Sequence, residues 1–127
     1  MIARFDPASR YVIVDADVDG AHGSAAIKLV VDTGSTRTII RPDALQEVGY
    51  VASSSIRQVR VNGVSGSALA SFVELDRLMV LGIERQEFEV VCHPVPLGMQ
   101  AHGLLGLDFL RDHVLTIDMI SGQITLK

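Results

Sequence analysis

The residues of this chain that are best suited to chemistry lie together at the end of one apolar run. Asp32 directly follows residues 27–31, which have the length and composition of a buried strand. A carboxylate in that position is costly unless hydrogen bonds or a chemical task keep it there. Thr33 and Ser35 supply hydroxyls beside it, and Gly34 lets backbone or a ligand approach closely. The pattern therefore predicts a carboxylate presented at a site rather than a filled core.

The elements that must position this carboxylate are short and punctuated by glycine. Strands are predicted at residues 10–18, 24–31, 36–40, 59–61, 67–75, 77–83, 86–92, 114–118 and 123–126. Short helices are predicted at residues 42–48 and 107–113. Many short strands with one or two short helices favour an all-β barrel or sandwich.

Size and charge limit the possible classes of function. The chain has 127 residues, and we expect a single domain over residues 1–127. Its net charge is −4 and it has no basic stripe, so nucleic acid is not expected as a partner. Cys92 is the single cysteine, which excludes a disulfide within the chain.

No apolar stretch approaches the roughly 18 residues that are needed to span a bilayer, so we expect no membrane contact from this chain. The N-terminal residues lack the apolar region of a signal peptide. We therefore expect a cytoplasmic protein if this is the full-length chain.

Two further glycine-rich segments stand out. Residues 59–61 alternate in polarity and residues 67–75 resume the alternation, which predicts a β-hairpin. Its tip consists of Asn62, Gly63, Val64, Ser65 and Gly66. Later in the chain, two glycines bracket a short apolar run that ends in Leu104, Leu105 and Gly106.

Together these segments resemble the retropepsin-like aspartic proteases, in particular the single-lobe members of bacteria and retroelements. Residues 32–35 (Asp-Thr-Gly-Ser) after Leu-Val-Val are similar to the active-site motif of that family. The hairpin lies where the family has its flap, and residues 104–106 resemble its second hydrophobic-hydrophobic-glycine motif. Residues 107–113 resemble the helix that follows. The resemblance implies a retropepsin-like closed β-barrel with a flap hairpin and one or two short helices.

The resemblance also implies a reaction. Aspartic proteases use two carboxylates around one water: the ionised one takes a proton from the water, and the protonated one donates to the scissile carbonyl. This chain carries one such motif, so the resemblance implies a homodimer in which Asp32 of a second copy supplies the other carboxylate. The expected function is an aspartic endopeptidase that acts on peptide or protein substrates without a metal or another cofactor.

Individual roles follow from the resemblance. It implies Asp32 as the catalytic carboxylate, with Thr33 as a brace across the dimer. It implies that the Gly34 N–H reaches the carboxylate and that Ser35 bonds to its outer oxygen. Residues 62–66 would close over a substrate bound as an added strand, and residues 104–106 would pack against the active-site loop. Candidate pocket walls are Ile39, Val64, Leu69 and Leu97.

Simpler interpretations remain open. Residues 32–35 alone are compatible with an Asx turn. A nucleophile elbow around Ser65 is not matched, because Ser67 stands where that motif needs glycine. The alternative function is a non-catalytic retropepsin-like module for dimerisation or peptide binding.

The other polar residues give no second site. The four histidines lack metal-ligand spacing, so no metal site is expected; they are His22, His93, His102 and His113. Asp108, Asp112 and Asp118 are expected to serve capping and surface roles.

Overall fold

The computed structural model of the chain describes residues 1–51, 57–63 and 66–127. Within these residues the strands are β1 Ile2–Arg4, β2 Ile13–Gly20, β3 Gly23–Val31, β4 Ile39–Ile40, β5 Gln58–Gly63, β6 Gly66–Val80, β7 Ile83–Cys92, β8 Gly103–Leu105, β9 Leu115–Asp118 and β10 Gln123–Leu126. The α-helices are α1 Pro42–Glu47 and α2 Leu107–Leu110, and Leu97–Met99 form a 3-10 turn.

Six strands close into a barrel in the order β2-β3-β8-β4-β7-β6, and β6 pairs with β2 to complete the ring. The β3–β8 and β4–β7 pairs are parallel, whereas the other pairs of the ring are antiparallel. Among the described residues β5 pairs only with β6, so it lies outside the ring as one arm of a hairpin. The all-β closed barrel with short helices that the sequence predicts is therefore confirmed.

The alternation of residue types along β2 shows why this segment forms a strand with one buried face. Val14, Ala16 and Val18 are buried, whereas Asp15 and Asp17 between them are exposed. Side chains point to opposite faces of a strand in turn, so the apolar set lies on the barrel interior.

The core fills the barrel and the space beneath α2. Its largest fully buried side chains include Leu29, Ile40, Leu45, Leu75, Leu78, Leu105, Phe109 and Ile124. Phe109 of α2 meets Phe88 of β7 edge to face, with 5.6 Å between ring centroids. This contact packs the short helix against the sheet directly after β8.

The strands predicted at residues 67–75 and 77–83 are one continuous strand, so the predicted break is wrong. β6 is 15 residues long because it pairs with three neighbouring strands along its length. Residues 66–71 pair with β5, residues 71–80 pair with β7, and residues 77–80 also pair with β2. The turn into β7 comes later, at Leu81 and Gly82, which both have positive φ.

Other boundaries also differ from the prediction. The strand expected at residues 36–40 is limited to β4. Thr38 does not extend it, because its N–H donates to the Asp108 carboxylate and only its carbonyl bonds to a strand, by accepting the Val91 N–H of β7. The helix expected at residues 107–113 ends at Leu110, since Arg111 is extended and Asp112 has φ 67°.

The two ends of the chain form a separate sheet in the order β1-β10-β9. β1 was not predicted, because it has only three residues and no alternation to mark it. No helix in the described part of the chain is long and apolar enough to cross a membrane.

Candidate active site

The candidate site begins where β3 ends. The Asp32 N–H donates to the Leu105 carbonyl over 2.9 Å, which fixes the chain as it leaves the strand. The chain then turns, since the Ser35 N–H donates to the Asp32 carbonyl over 3.2 Å. The Gly34 N–H donates to the Oδ1 of Asp32 over 2.9 Å. The half-buried carboxylate is thus oriented by backbone, and none of the described residues hydrogen-bonds to its second oxygen.

β8 lies beside β3 in parallel and supports this turn. Its register places Leu104 beside Val30 and Leu105 beside Val31. Leu105 is fully buried, whereas Leu104 is half-buried and faces the second, smaller apolar cluster around Val91. Successive residues of β8 therefore pack on opposite sides, one in the barrel core and one towards the site.

The two glycines that bracket this run are positions of close approach. A Cβ atom on Gly103 would lie 1.9 Å from the Ile39 carbonyl oxygen. A Cβ atom on Gly106 would lie 2.5 Å from the Arg37 carbonyl and 2.9 Å from that of Ser35. No side chain fits in either place, so backbone packs on backbone beneath the turn that carries the carboxylate.

A hydrogen-bonded pair of side chains locks the same region. Thr38 is fully buried; its N–H donates to Asp108 Oδ2 over 2.9 Å and its hydroxyl donates to Asp108 Oδ1 over 2.7 Å. The Thr38 hydroxyl in turn accepts the Gly106 N–H over 3.1 Å. The expected capping and surface role does not fully describe Asp108, because its carboxylate also accepts hydrogen bonds from a residue 70 positions away. No local sequence signal marks this pair.

A cavity of about 460 Å³ opens beside the carboxylate. Its wall runs from the turn after β3 to the outer strand β5 and to the apolar surface of β4, β7 and β8. The lining residues are Asp32, Gly34, Ser35, Thr36, Arg37, Ile39, Val59, Arg60, Val61, Asn62, Val91 and Leu104. A groove with an apolar floor, a carboxylate and a strand along one side can accommodate an extended chain.

A family model described as aspartyl protease matches residues 14–109, which include the turn, the hairpin and β8. The chain belongs to the aspartyl protease family. Among solved structures it is similar to a retropepsin-like aspartic protease from Rickettsia conorii, with a TM-score of 0.72 and 20% sequence identity. That match covers 99% of this chain and 88% of the other, so the retropepsin-like fold is confirmed. A search of curated proteins gives no match.

The predicted active-site motif at residues 32–35 differs in one contact from the expected arrangement. The Ser35 hydroxyl donates to the Arg37 carbonyl over 2.7 Å, and therefore holds the turn together instead of binding the carboxylate. The side chain of Thr33 is exposed, and its hydroxyl has no hydrogen-bond partner among the described residues.

The predicted pocket walls are placed only in part. Ile39 lines the cavity, whereas Leu69 is 60% exposed and Leu97 is 89% exposed, and neither lines it. Val64 and Ser65 lie outside the described residues. Val59, Val61 and Val91 line the cavity but are not among the predicted site residues, because the sequence pattern marks their strands without showing which face meets the site.

The predicted glycine-tipped hairpin is formed by β5 and β6. Asn62 pairs with Ser67 and Gly63 pairs with Gly66, whose φ is 125°. Only glycine adopts this φ readily, so Gly66 suits the last position of a tight tip. Of the predicted tip residues Asn62 lines the cavity, which places the start of the tip next to the carboxylate.

Among the described residues, the remaining ionisable side chains form no metal-binding cluster. No group of three metal-ligand side chains occurs within the described ranges. His102 instead has a structural contact: its ring Nδ1 accepts the Lys28 backbone N–H over 2.9 Å, and its backbone N–H donates to the Lys28 carbonyl. Burial raises the pKa of the Cys92 thiol, which keeps it protonated and a poor nucleophile.

Substitution of Gly106 tests the close packing beneath the turn. Gly106 has an extended backbone that alanine also adopts, so the effect of Gly106→Ala is purely steric. We expect a loss of about 3 kcal/mol in the free energy of unfolding, measured by urea denaturation. Gly98→Ala is the matched control, because a Cβ there meets nothing within 4 Å. Equal stability of the two variants would contradict the packing described here.

Removal of Asp108 tests the pair with Thr38. Asp108→Ala leaves the buried Thr38 N–H and hydroxyl without their acceptor, and should lower the free energy of unfolding by about 3 kcal/mol. Asp17→Ala is the control, since Asp17 is exposed on β2 and has no ion pair among the described residues. The interpretation is wrong if urea unfolding gives the same midpoint for both variants.

Proposed function

We propose that this chain is an aspartic endopeptidase that hydrolyses peptide bonds through a water activated by the Asp32 carboxylates of two copies. The observation that carries the proposal is the placement of Asp32: a half-buried carboxylate, oriented by the Gly34 N–H, at the wall of a groove. The family match over residues 14–109 supports the same reaction class. We take residues 1–127 as one protease domain.

The chemistry requires two carboxylates in different protonation states. Two carboxylates that share one water cannot both be ionised, so one remains protonated and donates to the scissile carbonyl while the other removes a proton from the water. Aspartic proteases are the standard example of this effect. The second oxygen of Asp32, which none of the described residues contacts, is the atom that would meet the water.

The second carboxylate is proposed to come from a second copy of the chain. A two-fold axis brings identical residues together, so one motif per chain is enough to build a pair. Thr33 lies beside Asp32 with its hydroxyl exposed, and is therefore available to brace the two turns across that axis.

The substrate is proposed to lie as an extended peptide between the turn and β5. In the described residues β5 is at the edge of its sheet, with backbone groups free to pair with an added strand. Asn62, Gly63, Val64, Ser65 and Gly66 would then cover the peptide, while residues 104–106 hold the catalytic turn from below.

The catalytic role of Asp32 is tested by Asp32→Asn. The amide cannot act as a base, so we expect at least about a 100-fold loss in the rate of cleavage of denatured protein substrates, followed by mass spectrometry. Asp17→Asn has the same charge change on an exposed strand face and should cleave at the wild-type rate. Undiminished cleavage by Asp32→Asn would contradict the mechanism. If the wild-type protein and the Asp17→Asn variant both fail to cleave any substrate but still bind peptides, the non-catalytic module is favoured.

A mixing experiment tests the shared site. Excess Asp32→Asn chain should suppress the activity of a fixed amount of wild-type chain, because exchange places most wild-type copies in mixed dimers with one carboxylate. Excess Asp17→Asn chain should raise the activity under the same conditions. Wild-type activity that is unaffected by the inactive chain, in a protein that remains monomeric by light scattering, would rule out the dimeric site.

A further inference from the structure

The groove beside Asp32 has a charge opposite to that of the protein. The chain carries a net charge of −4, yet the charged residues that line the groove are two arginines, Arg37 and Arg60, and one carboxylate, Asp32. In a concave site with apolar walls, such charges act on a bound ligand more strongly than on an open surface. The groove is therefore suited to a ligand that brings negative charge.

Arg37 is fixed with its positive charge towards the site. Its guanidinium lies 5.0 Å from the ring centroid of Phe72 and 3.7 Å from a carboxylate oxygen of Glu89. The Glu89 carboxylate forms ion pairs with two arginines, because it also pairs with Arg57. The Arg37 side chain is 45% exposed, so it remains accessible while the aromatic ring limits its movement.

Arg60 lies on β5, the strand that is proposed to pair with the substrate. Its guanidinium donates to the Ser67 hydroxyl over 3.0 Å, and no carboxylate of the described residues forms an ion pair with it. A guanidinium has five N–H donors in a planar fork that matches a carboxylate. Val59 and Val61 on either side of Arg60 pack on the apolar cluster, so the Arg60 side chain lies on the opposite, exposed face of β5. Its remaining donors can therefore meet a side chain of an added strand that points to this outer face.

The apolar part of the groove indicates which other residues a bound peptide would need. Its floor is apolar, built from Ile39, Val91 and Leu104 together with the valines of β5. A peptide that pairs with β5 would place an apolar residue on this floor and an acidic residue at an adjacent position, on the outer face beside Arg60. We propose, on the basis of the proposed protease function, that this groove selects peptides with an aspartate or glutamate side chain near the scissile bond, bound by Arg60 and favoured by Arg37.

Cleavage-site profiling tests this preference. Wild-type protein is incubated with a peptide library derived from a whole proteome, and residue frequencies are counted at each position around the cleaved bonds. We expect aspartate and glutamate to be enriched about three- to ten-fold over glutamine and asparagine at one position, and less so at high salt. Equal frequencies of acidic and neutral residues at every position would overturn the proposal.

Charge reversal assigns the preference to a residue. Arg60→Glu should replace the acidic enrichment at that position by lysine and arginine, while Arg37→Gln should reduce it. Arg10→Glu is the matched control, because it changes the net charge equally on an exposed residue outside the groove, and should keep the wild-type profile. An acidic preference that survives in the Arg60→Glu variant would contradict the proposed binding of the acidic side chain by Arg60.

A binding series separates this proposal from the protease function. Fluorescent peptides that differ only in glutamate, glutamine or lysine at each position in turn are titrated onto Asp32→Asn protein, and affinity is read from anisotropy. Tighter binding of the glutamate peptides supports the acidic preference even if no protein cleaves, provided that it is lost in the Asp32→Asn, Arg60→Glu double variant. Equal binding of the three peptide sets, or no binding of any set, overturns it whether or not cleavage occurs.

Discussion

The parallel pairing of β3 with β8 is the constraint on which the rest of the site depends. It places the end of β3 beside Leu105, whose carbonyl accepts the Asp32 N–H over 2.9 Å. Without this acceptor the turn would begin with an unpaired, half-buried N–H, which is costly. The same pairing buries Leu105 in the barrel, so the position of the carboxylate depends directly on core packing.

The Thr38–Asp108 pair extends this constraint to the chain on the far side of the turn. The Thr38 N–H and hydroxyl both donate to the Asp108 carboxylate, and the hydroxyl also accepts the Gly106 N–H. The Leu107 N–H donates to the Ser35 carbonyl over 2.8 Å and completes the connection. These hydrogen bonds therefore join two chain segments that are far apart in sequence, and the Asp-Thr-Gly-Ser turn lies between them.

The sequence predicts the parts of this arrangement that have a local chemical signature. An aspartate after a buried strand, a glycine-tipped hairpin and a Leu-Leu-Gly run are each visible in a few residues, and their order identifies the fold. The length of β6 and the contact of Asp108 with Thr38 have no such signature, because both depend on which distant strands come together. Likewise Arg60 looks like any exposed strand residue until the groove beside it is known.

Asp32, Gly34 and Ser35 already have the backbone hydrogen bonds of their turn within one chain, to Leu105 and to Asp32 itself. A second copy would therefore not need to fold the turn, but only to bring an identical, preformed turn against it. Preorganisation of this kind removes an entropy cost from association, because few torsions remain to be fixed. If the shared site forms, its activity should follow the fraction of chains that are paired, since the geometry of each half is set by its own β3, β8 and Thr38–Asp108 pair.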